Sequence, residues 1–277
     1  MSRSYKFLNV ACGDTFIQNN SWTNIDFTSH SPSIKKADIL NGLPYKDNSF
    51  DVIYSSHFIE HIPMEQIESF LDDVYRILRP GGIIRLVTPD LEFLNNEYKK
   101  NYDKESFKKA NFITSLTLDQ CVRLKSGGKL KEDMDNIYYS NDQEMIKYVE
   151  LLIGPNAFKY IDSNNISLFE KALKQIKKDP KFLINIVEMI WIKIVSFFLP
   201  GTFKKLNLSN TSIGEKHLWL YDFNSLSEIL ENASFKAIKK VDFNLSDFSE
   251  NIFDELDIKD GLPRKGIHQL FIEASKT

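Results

Sequence analysis

Short apolar runs closed by glycine or acidic residues follow one another through the first ninety positions of the chain. A run of this length that ends at a turn residue is typical of a buried strand. The runs lie at residues 6–11, 22–26, 37–40, 49–55 and 83–87. Between the last two, residues 64–78 place their apolar side chains on one face of a helix, which Pro80 and Gly81 bring to an end. The order strand, helix, strand predicts a parallel crossover.

The strand pattern disappears after residue 90 and returns near the end of the chain. Residues 91–214 are rich in Lys, Asn and Asp at helical spacing, and they predict an inserted helical subdomain. Residues 223–233 predict one more amphipathic helix, and residues 236–245 and 267–274 predict two strands that pair as an antiparallel hairpin. The expected fold is therefore a doubly wound, mostly parallel α/β sheet with a C-terminal hairpin and a helical insert.

The composition is that of an ordinary globular protein. The chain has 277 residues, 42% of them hydrophobic and 26% charged, which excludes a disordered or fibrous protein. The 35 Lys and Arg residues nearly balance the 38 Asp and Glu residues, and the net charge of -3 argues against a nucleic acid partner. Cys12 and Cys121 lack the spacing of a metal or disulfide motif, and the first residues do not have the pattern of a signal peptide. We therefore expect a cytoplasmic protein.

The ends of the predicted strands carry residues with candidate binding chemistry. Ligands of open parallel sheets bind beyond the carboxyl ends of the strands. Gly13 follows the first run and lets the backbone approach a ligand closely, and Asp26 ends the second run, where a carboxylate can accept both hydroxyls of a ribose. Asp38, in the third run, can accept from an adenine amino group. Either acid alone is equally consistent with the capping of a turn.

Seven short blocks occur in order at these positions. They read FLNVACG at residues 7–13, NID at 24–26, ADIL at 37–40, LPY at 43–45, SFDVIYS at 49–55, EHI at 60–62 and LRPGG at 78–82. As an ordered set, the blocks resemble the class I S-adenosylmethionine (SAM)-dependent methyltransferases, and more narrowly their type 11 group. This resemblance implies a Rossmann-like, SAM-binding methyltransferase domain at residues 1–90 and 215–277, with residues 91–214 as a helical insert that caps the substrate.

The resemblance also implies which residues hold SAM and its product, S-adenosylhomocysteine. These cofactor-binding residues are Ala11, Cys12, Gly13, Asp26, Asp38, Ile39, Ser55 and Ser56. The first three would lie against the methionine part of the cofactor, and the two serines would line the floor beneath the sulfonium. Asp26 would hold the ribose hydroxyls, whereas Asp38 and Ile39 would border the adenine.

Two features depart from the pattern of the family. Ala11 and Thr15 stand where glycines are common, so close backbone approach depends on Gly13. Only about ten residues separate the first two predicted strands, which is too few for the usual crossover helix. The cofactor face would then be open or be covered by the insert.

Histidines supply the candidate catalytic bases, because transfer to a hydroxyl needs its proton removed and imidazole titrates near neutral pH. His57 and His61 follow the fourth strand with Glu60 between them. His217, which the resemblance places beside the acceptor pocket, is the preferred base, with core packing as its alternative; His61 is also explained by a place beneath the cofactor. The spacing of His57 and His61 suits a metal, but a third ligand is not visible and Glu60 would point away from His61 on a helix. No metal is therefore expected.

Residues 182–199, from Phe182 to Leu199, are almost wholly apolar, and their few polar members lie on one side of a helix. Two charges and a borderline length argue against a membrane span. Core packing, a homodimer interface and peripheral contact with the inner membrane surface all stay open. Core or dimer packing is favoured, because a buried helix needs no lipid to explain it, and flanking lysines keep membrane contact open by attracting anionic headgroups. They are Lys177, Lys178, Lys181, Lys204 and Lys205.

The expected reaction is direct methyl transfer to an oxygen nucleophile. By analogy with the group, the first choice of acceptor is a sugar hydroxyl of a surface polysaccharide or a lipid-linked glycan. A small-molecule acceptor, methylated at oxygen or nitrogen, is one alternative, and a catalytically silent module that binds the cofactor and assembles through its insert is another. A nicotinamide-dependent enzyme is disfavoured, since neither a second loop glycine nor a helix follows Gly13 to hold a pyrophosphate.

Overall fold

The computed structural model describes residues 4–29, 31–104, 106–162, 182–203, 211, 214–249 and 251–277. A seven-stranded sheet in the order β3-β2-β1-β4-β5-β9-β6 lies at its centre. The strands of this sheet are β1 (Phe7–Val10), β2 (Trp22–Asp26), β3 (Ile34–Lys36), β4 (Phe50–Ser56), β5 (Leu78–Pro89), β6 (Lys236–Lys240) and β9 (Gln269–Ser275). Strands β1 to β5 are parallel, and β9 is antiparallel to both β5 and β6. The predicted mostly parallel sheet with its C-terminal antiparallel pair is confirmed.

Both faces of the central strands are buried, because alternate residues of β4 enter different apolar clusters. Leu8 and Ile53 belong to the larger cluster, whereas Val52 and Tyr54 belong to the cluster on the other side. The larger cluster also takes up the apolar stripe of the predicted helix. That helix, α1, runs over Met64–Ile77, one residue shorter than predicted.

The remaining helices of the described residues lie between β5 and β9. They are α2 (Leu91–Asp103), α3 (Phe107–Thr114), α4 (Gln120–Val122), α5 (Gly128–Tyr139), α6 (Gln143–Ile153), α7 (Lys159–Asp162), α8 (Phe182–Phe197), α9 (Phe223–Asn232) and α10 (Asp254–Asp257). A π-helical turn, Ser115–Asp119, joins α3 to α4. Helices α2, α3, α5 and α6 contribute to a separate apolar cluster that includes Leu94, Phe112 and Val149. The described parts of residues 91–214 contain helices and no strand, as the sequence pattern predicted.

Two local predictions are wrong in position, and one element was missed. The third strand lies at Ile34–Lys36 and not at residues 37–40, where Ile39–Asn41 forms a 3-10 turn followed by Gly42 with φ of 104°. Strand β6 ends at Lys240, five residues before the predicted end. A small hairpin of β7 (Ile258–Lys259) and β8 (Leu262–Pro263) was not predicted at all. Such short strands carry too few side chains to show a period.

Helix α8 accounts for most of the apolar stretch at residues 182–199. Several of its described side chains are exposed, and Trp191 is 65% accessible. The five flanking lysines at 177, 178, 181, 204 and 205 lie outside the described residues. None of the helices in the described ranges is both long and apolar enough to cross a membrane.

Candidate functional site

A cavity of about 380 Å³ opens at the carboxyl ends of β1 and β4. Strands β1 and β4 are neighbours in the sheet, and β2, the next strand along the chain after β1, lies on the other side of β1. The cavity therefore lies at the point where the strand order reverses, which is where ligands of open α/β sheets bind. The loop after β1 contributes residues 11–15 to its wall, β4 contributes its last residue, Ser56, and the segment after β4 contributes His57 and His61.

The loop after β1 is held open by backbone of left-handed conformation. Ala11 and Gly13 have φ of 54° and 52°, and for an alanine this region costs about 1–2 kcal/mol. A Cβ placed on Gly13 would meet nothing within 4 Å, so the loop leaves free space beside its backbone. The Gly13 N–H donates to Asp26 Oδ2 at 2.9 Å, which ties the loop to the end of β2. Asp26 Oδ1 accepts from the Thr28 N–H at 3.0 Å.

Cys12 lies between Ala11 and Gly13 in the loop after β1, and its thiol is neutral. Burial raises its pKa to about 12, and the nearby carboxylate of Asp26 acts in the same direction. A thiol needs to ionise before it can act as a nucleophile or bind a metal. Cys12 therefore contributes an apolar surface to the cavity.

The other predicted cofactor residues lie at different depths. Ser56 lines the cavity, whereas the Ser55 hydroxyl is buried and donates to the Val10 carbonyl at 3.1 Å. Asp38 is exposed, and its Oδ2 accepts from Asn41 Nδ2 at 2.7 Å. Ile39 is buried in the larger apolar cluster. The structure thus brings the 11–13 loop and Ser56 onto the cavity and leaves Asp26, Asp38, Ile39 and Ser55 outside its wall, and the binding roles stay predictions.

A buried carboxylate and a histidine lie together after β4. Glu60 is fully buried in the 3-10 turn Ile59–His61, and its Oε1 lies 3.2 Å from His57 Nδ1. Its other oxygen, Oε2, accepts from Thr88 Oγ1 at 3.2 Å. His57 has φ of 53°, so the chain turns sharply before the 3-10 turn. These residues precede α1 and are not on one α-helix, which is why Glu60 reaches the histidines.

The segment after the insert completes the cluster. His61 and His217 meet edge to face with their ring centroids 4.8 Å apart. His61 Nδ1 is 2.9 Å from the Lys216 carbonyl oxygen. Since only a protonated nitrogen can donate to a carbonyl, Nε2 keeps the lone pair of the neutral ring. The structure thus brings His57, Glu60, His61 and His217 together at one end of the cavity.

Burial and mutual charge set the protonation of this cluster. Burial lowers the pKa of His217 to about 4, even though the carboxylate of Glu60 opposes this. Burial alone would raise the pKa of Glu60, but the contact with His57 and the charges of the three histidines lower it to about 2. At neutral pH the cluster therefore holds an ionised carboxylate beside a neutral His217 ring.

The insert closes the cavity from one side. Gln120, in α4, lines the wall, and its carbonyl accepts from the His217 N–H at 2.9 Å. The Glu60 carbonyl accepts from the Leu218 N–H at 2.7 Å. These backbone bonds hold the His217 segment between the insert and the turn after β4. The two strands β1 and β2 are joined without a helix, and Gln120 of the insert lies at the cavity instead.

Sequence reasoning missed several residues of this region. His268 is buried near His57, with ring centroids 6.5 Å apart, and burial lowers its pKa to about 3. Arg264 and Lys265 line the cavity from the segment before β9. A lone histidine and a basic pair at the end of a chain carry no local pattern, so only the fold shows their proximity.

Comparison with known proteins concerns the first part of the chain. A family model described as "Methyltransferase domain" matches residues 8–86. A probable methyltransferase from Aspergillus luteorubrus is 35% identical over 51 residues, which cover 18% of this chain and 18% of that protein. The chain thus spans less than a fifth of the length of this curated relative.

Solved structures of low identity are also similar. The YcgJ protein from Bacillus subtilis is 17% identical with a TM-score of 0.26, over 34% of this chain and 53% of its own. A SAM-dependent methyltransferase from Thermotoga maritima, described as a possible histamine N-methyltransferase, is 12% identical with a TM-score of 0.39, over 98% of this chain and 82% of its own. The family assignment rests on the domain model, whose range contains β1, β2, β4 and the His57–His61 segment. Residues 8–86 therefore belong to the methyltransferase-domain family, as the ordered sequence blocks predicted.

Proposed function

We propose that this protein is a SAM-dependent methyltransferase that transfers the methyl group directly to an oxygen nucleophile. The observation that carries the proposal is the composition of the cavity at the ends of β1 and β4. One part of its wall is the loop of Ala11, Cys12 and Gly13, and another is the cluster that contains His61 and His217. A cofactor loop and a proton-accepting cluster on one cavity are what methyl transfer to a hydroxyl requires.

The residues around the loop fit the cofactor. The free space beside Gly13 admits the methionine part, and the carboxylate of Asp26 lies at the end of β2 where a ribose would be held. When bound, SAM supplies an electrophilic methyl group on a sulfonium, with a neutral thioether as leaving group. Ser56 lies on the same wall, and Asp38 and Ile39 stay predicted neighbours of the adenine.

The histidine cluster provides the acceptor for the hydroxyl proton. His61 presents an unprotonated Nε2 because Nδ1 faces the Lys216 carbonyl, and its ring lines the cavity. His217 was the preferred base, but a pKa near 4 makes its imidazole a weak base at neutral pH. His57 lies against Glu60, which orients it rather than leaving it free. We therefore assign proton removal to His61, with the Lys216 carbonyl and the His217 ring as the groups that position it.

A glycan carried on a lipid, or part of a surface polysaccharide, is the acceptor we propose. Support comes from α8, where Trp191 and Phe197 are 65% and 76% accessible. The helix has 16 residues, about 24 Å of rise, which is short of the roughly 30 Å of a bilayer core. Its exposed apolar side chains suit contact with a lipid surface, where a lipid-linked acceptor would be presented.

Labelled methyl groups would test the acceptor class. The purified protein is incubated with methyl-labelled SAM and an extract of its own host, and label is counted in lipid, polysaccharide, protein, nucleic acid and small-molecule fractions. Label in the polysaccharide or glycolipid fraction is expected, and His61→Ala is the matched control that should lose the signal while it still binds SAM. Label among small molecules would replace the glycan by the alternative acceptor. SAM binding without label in any fraction would favour a silent module.

A further inference from the structure

We propose that Glu60, His61 and His217 form a binding site for one divalent transition-metal ion in the wall of the cavity. One potential ligand atom from each of these side chains lies within 4.8 Å of the other two. The third ligand comes from beyond the insert, so the spacing of His57 and His61 could not reveal it. The role of the ion, described below, rests on the proposed methyl transfer, whereas the site itself does not.

The distances suit a small ion after modest side-chain movement. Bonds of about 2.0–2.2 Å to histidine nitrogen and carboxylate oxygen place tetrahedral ligand atoms about 3.4 Å apart. The three atoms, at most 4.8 Å apart, therefore need to approach by no more than about 1.4 Å.

Two ligands already have the outer partners that metal sites use. A metal-bound histidine usually donates its other ring N–H to a carbonyl or carboxylate, and a bound carboxylate is itself hydrogen-bonded. His61 Nδ1 faces the Lys216 carbonyl at 2.9 Å, which leaves Nε2 as the ligand atom. The Thr88 hydroxyl donates to Glu60 Oε2 at 3.2 Å.

Unsatisfied polar atoms point to a missing occupant. His217 is 4% accessible, and its Nδ1 is buried without a hydrogen-bond partner. Glu60 is fully buried, and its Oε1 accepts no aligned hydrogen bond although His57 lies close. Buried polar atoms of native proteins nearly always have a partner. A cation would satisfy both atoms at once.

The ligand set selects the class of ion. Two imidazoles and one carboxylate suit Zn²⁺, Fe²⁺, Co²⁺ or Mn²⁺, whereas Mg²⁺ and Ca²⁺ prefer oxygen ligands. Three protein ligands leave a position for a substrate oxygen, and His61 and His217 both line the cavity. An ion held there would bind the acceptor hydroxyl and lower its pKa, so that the hydroxyl would release its proton to solvent water near neutral pH and the oxygen would then take the methyl group as the thioether leaves. His61 would then act as a ligand rather than as the base.

Cobalt titration of the full chain tests the site without any assay of activity. The protein is treated with a chelator, dialysed, and titrated with Co²⁺ while visible absorption is recorded, with Zn²⁺ as competitor. One ion per chain is expected, with at least tenfold weaker binding in His217→Ala and Glu60→Gln, because loss of even an outer partner costs about 10–100-fold. Cys12→Ser and His268→Gln are matched controls that remove a neighbouring thiol and a neighbouring histidine, and they should bind as the wild type does.

Other outcomes would overturn the metal site, its role in activation or the proposed function. Absence of Co²⁺ and Zn²⁺ binding, or equal binding in His217→Ala and Glu60→Gln, excludes the site; His61→Ala repeats the test if either variant fails to fold. Binding that disappears in Cys12→Ser would assign the ion to the thiol. Unchanged methyl transfer by the metal-free protein would remove the role in activation and leave the proposed function intact. Failure of the protein to bind SAM would instead remove the proposed function, whatever the metal result.

Discussion

The unprotonated ring nitrogen of His61, Nε2, lies where an acceptor hydroxyl would meet the histidine cluster. The half-buried ring lines the cavity and is fixed by the 2.9 Å contact of Nδ1 with the Lys216 carbonyl. We expect His61→Ala to lower kcat by roughly 10²–10⁴-fold, the usual contribution of a positioned base. The affinity for SAM should change little, because the predicted cofactor residues lie on other segments.

Single-turnover kinetics and calorimetric binding of SAM, measured on the same preparation, check this expectation. The loss of kcat is expected whether His61 is a base or a metal ligand, and the cobalt titration separates the two roles. Wild-type kcat in His61→Ala would show that neither role is correct.

Asp26 and Asp38 give a second test at the level of single residues. Asp26 holds the backbone of Gly13 at 2.9 Å, whereas Asp38 is exposed and bonded to Asn41. Asp26→Asn should weaken SAM binding by about 1.5–3 kcal/mol, the value of hydrogen bonds to a charged group, or roughly 10- to 100-fold. Asp38→Asn is the matched control, for which we expect at most a few-fold change in calorimetric Kd. Equal losses would give Asp38 the adenine contact that the sequence predicted.

The sequence predicted the residues of the site better than their arrangement. Local blocks identified Gly13, His57 and His61, because each lies within a few residues of a strand end. The same reasoning directed the Glu60 side chain away from His61, because it assumed an α-helix where the structure has a 3-10 turn. It could not join His217 to His61, because the contact depends on the path of the insert.

Among the elements, helix α9 is closely connected to the site, because it begins directly after the segment that carries His217. Asp222 caps the helix: its Oδ1 accepts from the Ser225 N–H at 2.8 Å, and the Ser225 hydroxyl accepts from the Asp222 N–H at 3.1 Å. We expect Asp222→Ala to lower the free energy of unfolding by about 1 kcal/mol, within the 0.5–2 kcal/mol range of lost caps.

Urea unfolding compares this variant with the wild type, and Asp222→Ser serves as the matched control because serine also caps helices well. The serine variant should recover most of the loss. Equal stability of the alanine variant and the wild type would show that tertiary packing, and not the cap, fixes this end of α9.

Predictions of helices and strands succeeded where the hydrophobic pattern extended over many residues and failed where the element had only a few residues. Helix α1 has five buried apolar side chains on one face, and its bounds were predicted to within one residue. Strand β3 has only three residues, of which Ile34 alone is buried, so its position could not be read from alternation. The segment after β6 looked like a longer strand because Val241 and Phe243 are apolar, yet they pack against the second face of the sheet.

For the molecule as a whole, one buried ion network joins the sheet to the C-terminal connection. Arg85 of β5 is fully buried between two carboxylates, with its Nε 2.9 Å from Asp257 Oδ2 and its Nη1 2.8 Å from Glu273 Oε1. Tyr54, which lines the cavity, donates to Asp257 Oδ1 at 2.6 Å. The single guanidinium of Arg85 therefore pairs with both carboxylates. Through Tyr54 and Asp257, this network links the floor of the cavity to α10.

This network makes the stability of the protein depend on pH in a predictable direction. Burial raises the pKa of Asp257 from 3.8 to about 6, although Arg85 and the Tyr54 hydroxyl oppose the shift. A carboxyl that holds its proton more tightly when folded stabilises the protein fully below pH 3.8, and this contribution is lost as the pH rises to 6. The loss amounts to roughly 3 kcal/mol at most.

Urea unfolding of wild type and Asp257→Asn between pH 4 and 7 measures this loss of stability, with exposed Glu255→Gln as the control. The wild type should lose stability relative to Asp257→Asn as the pH rises, and a constant or widening advantage of the wild type would mean that Arg85 keeps Asp257 ionised throughout.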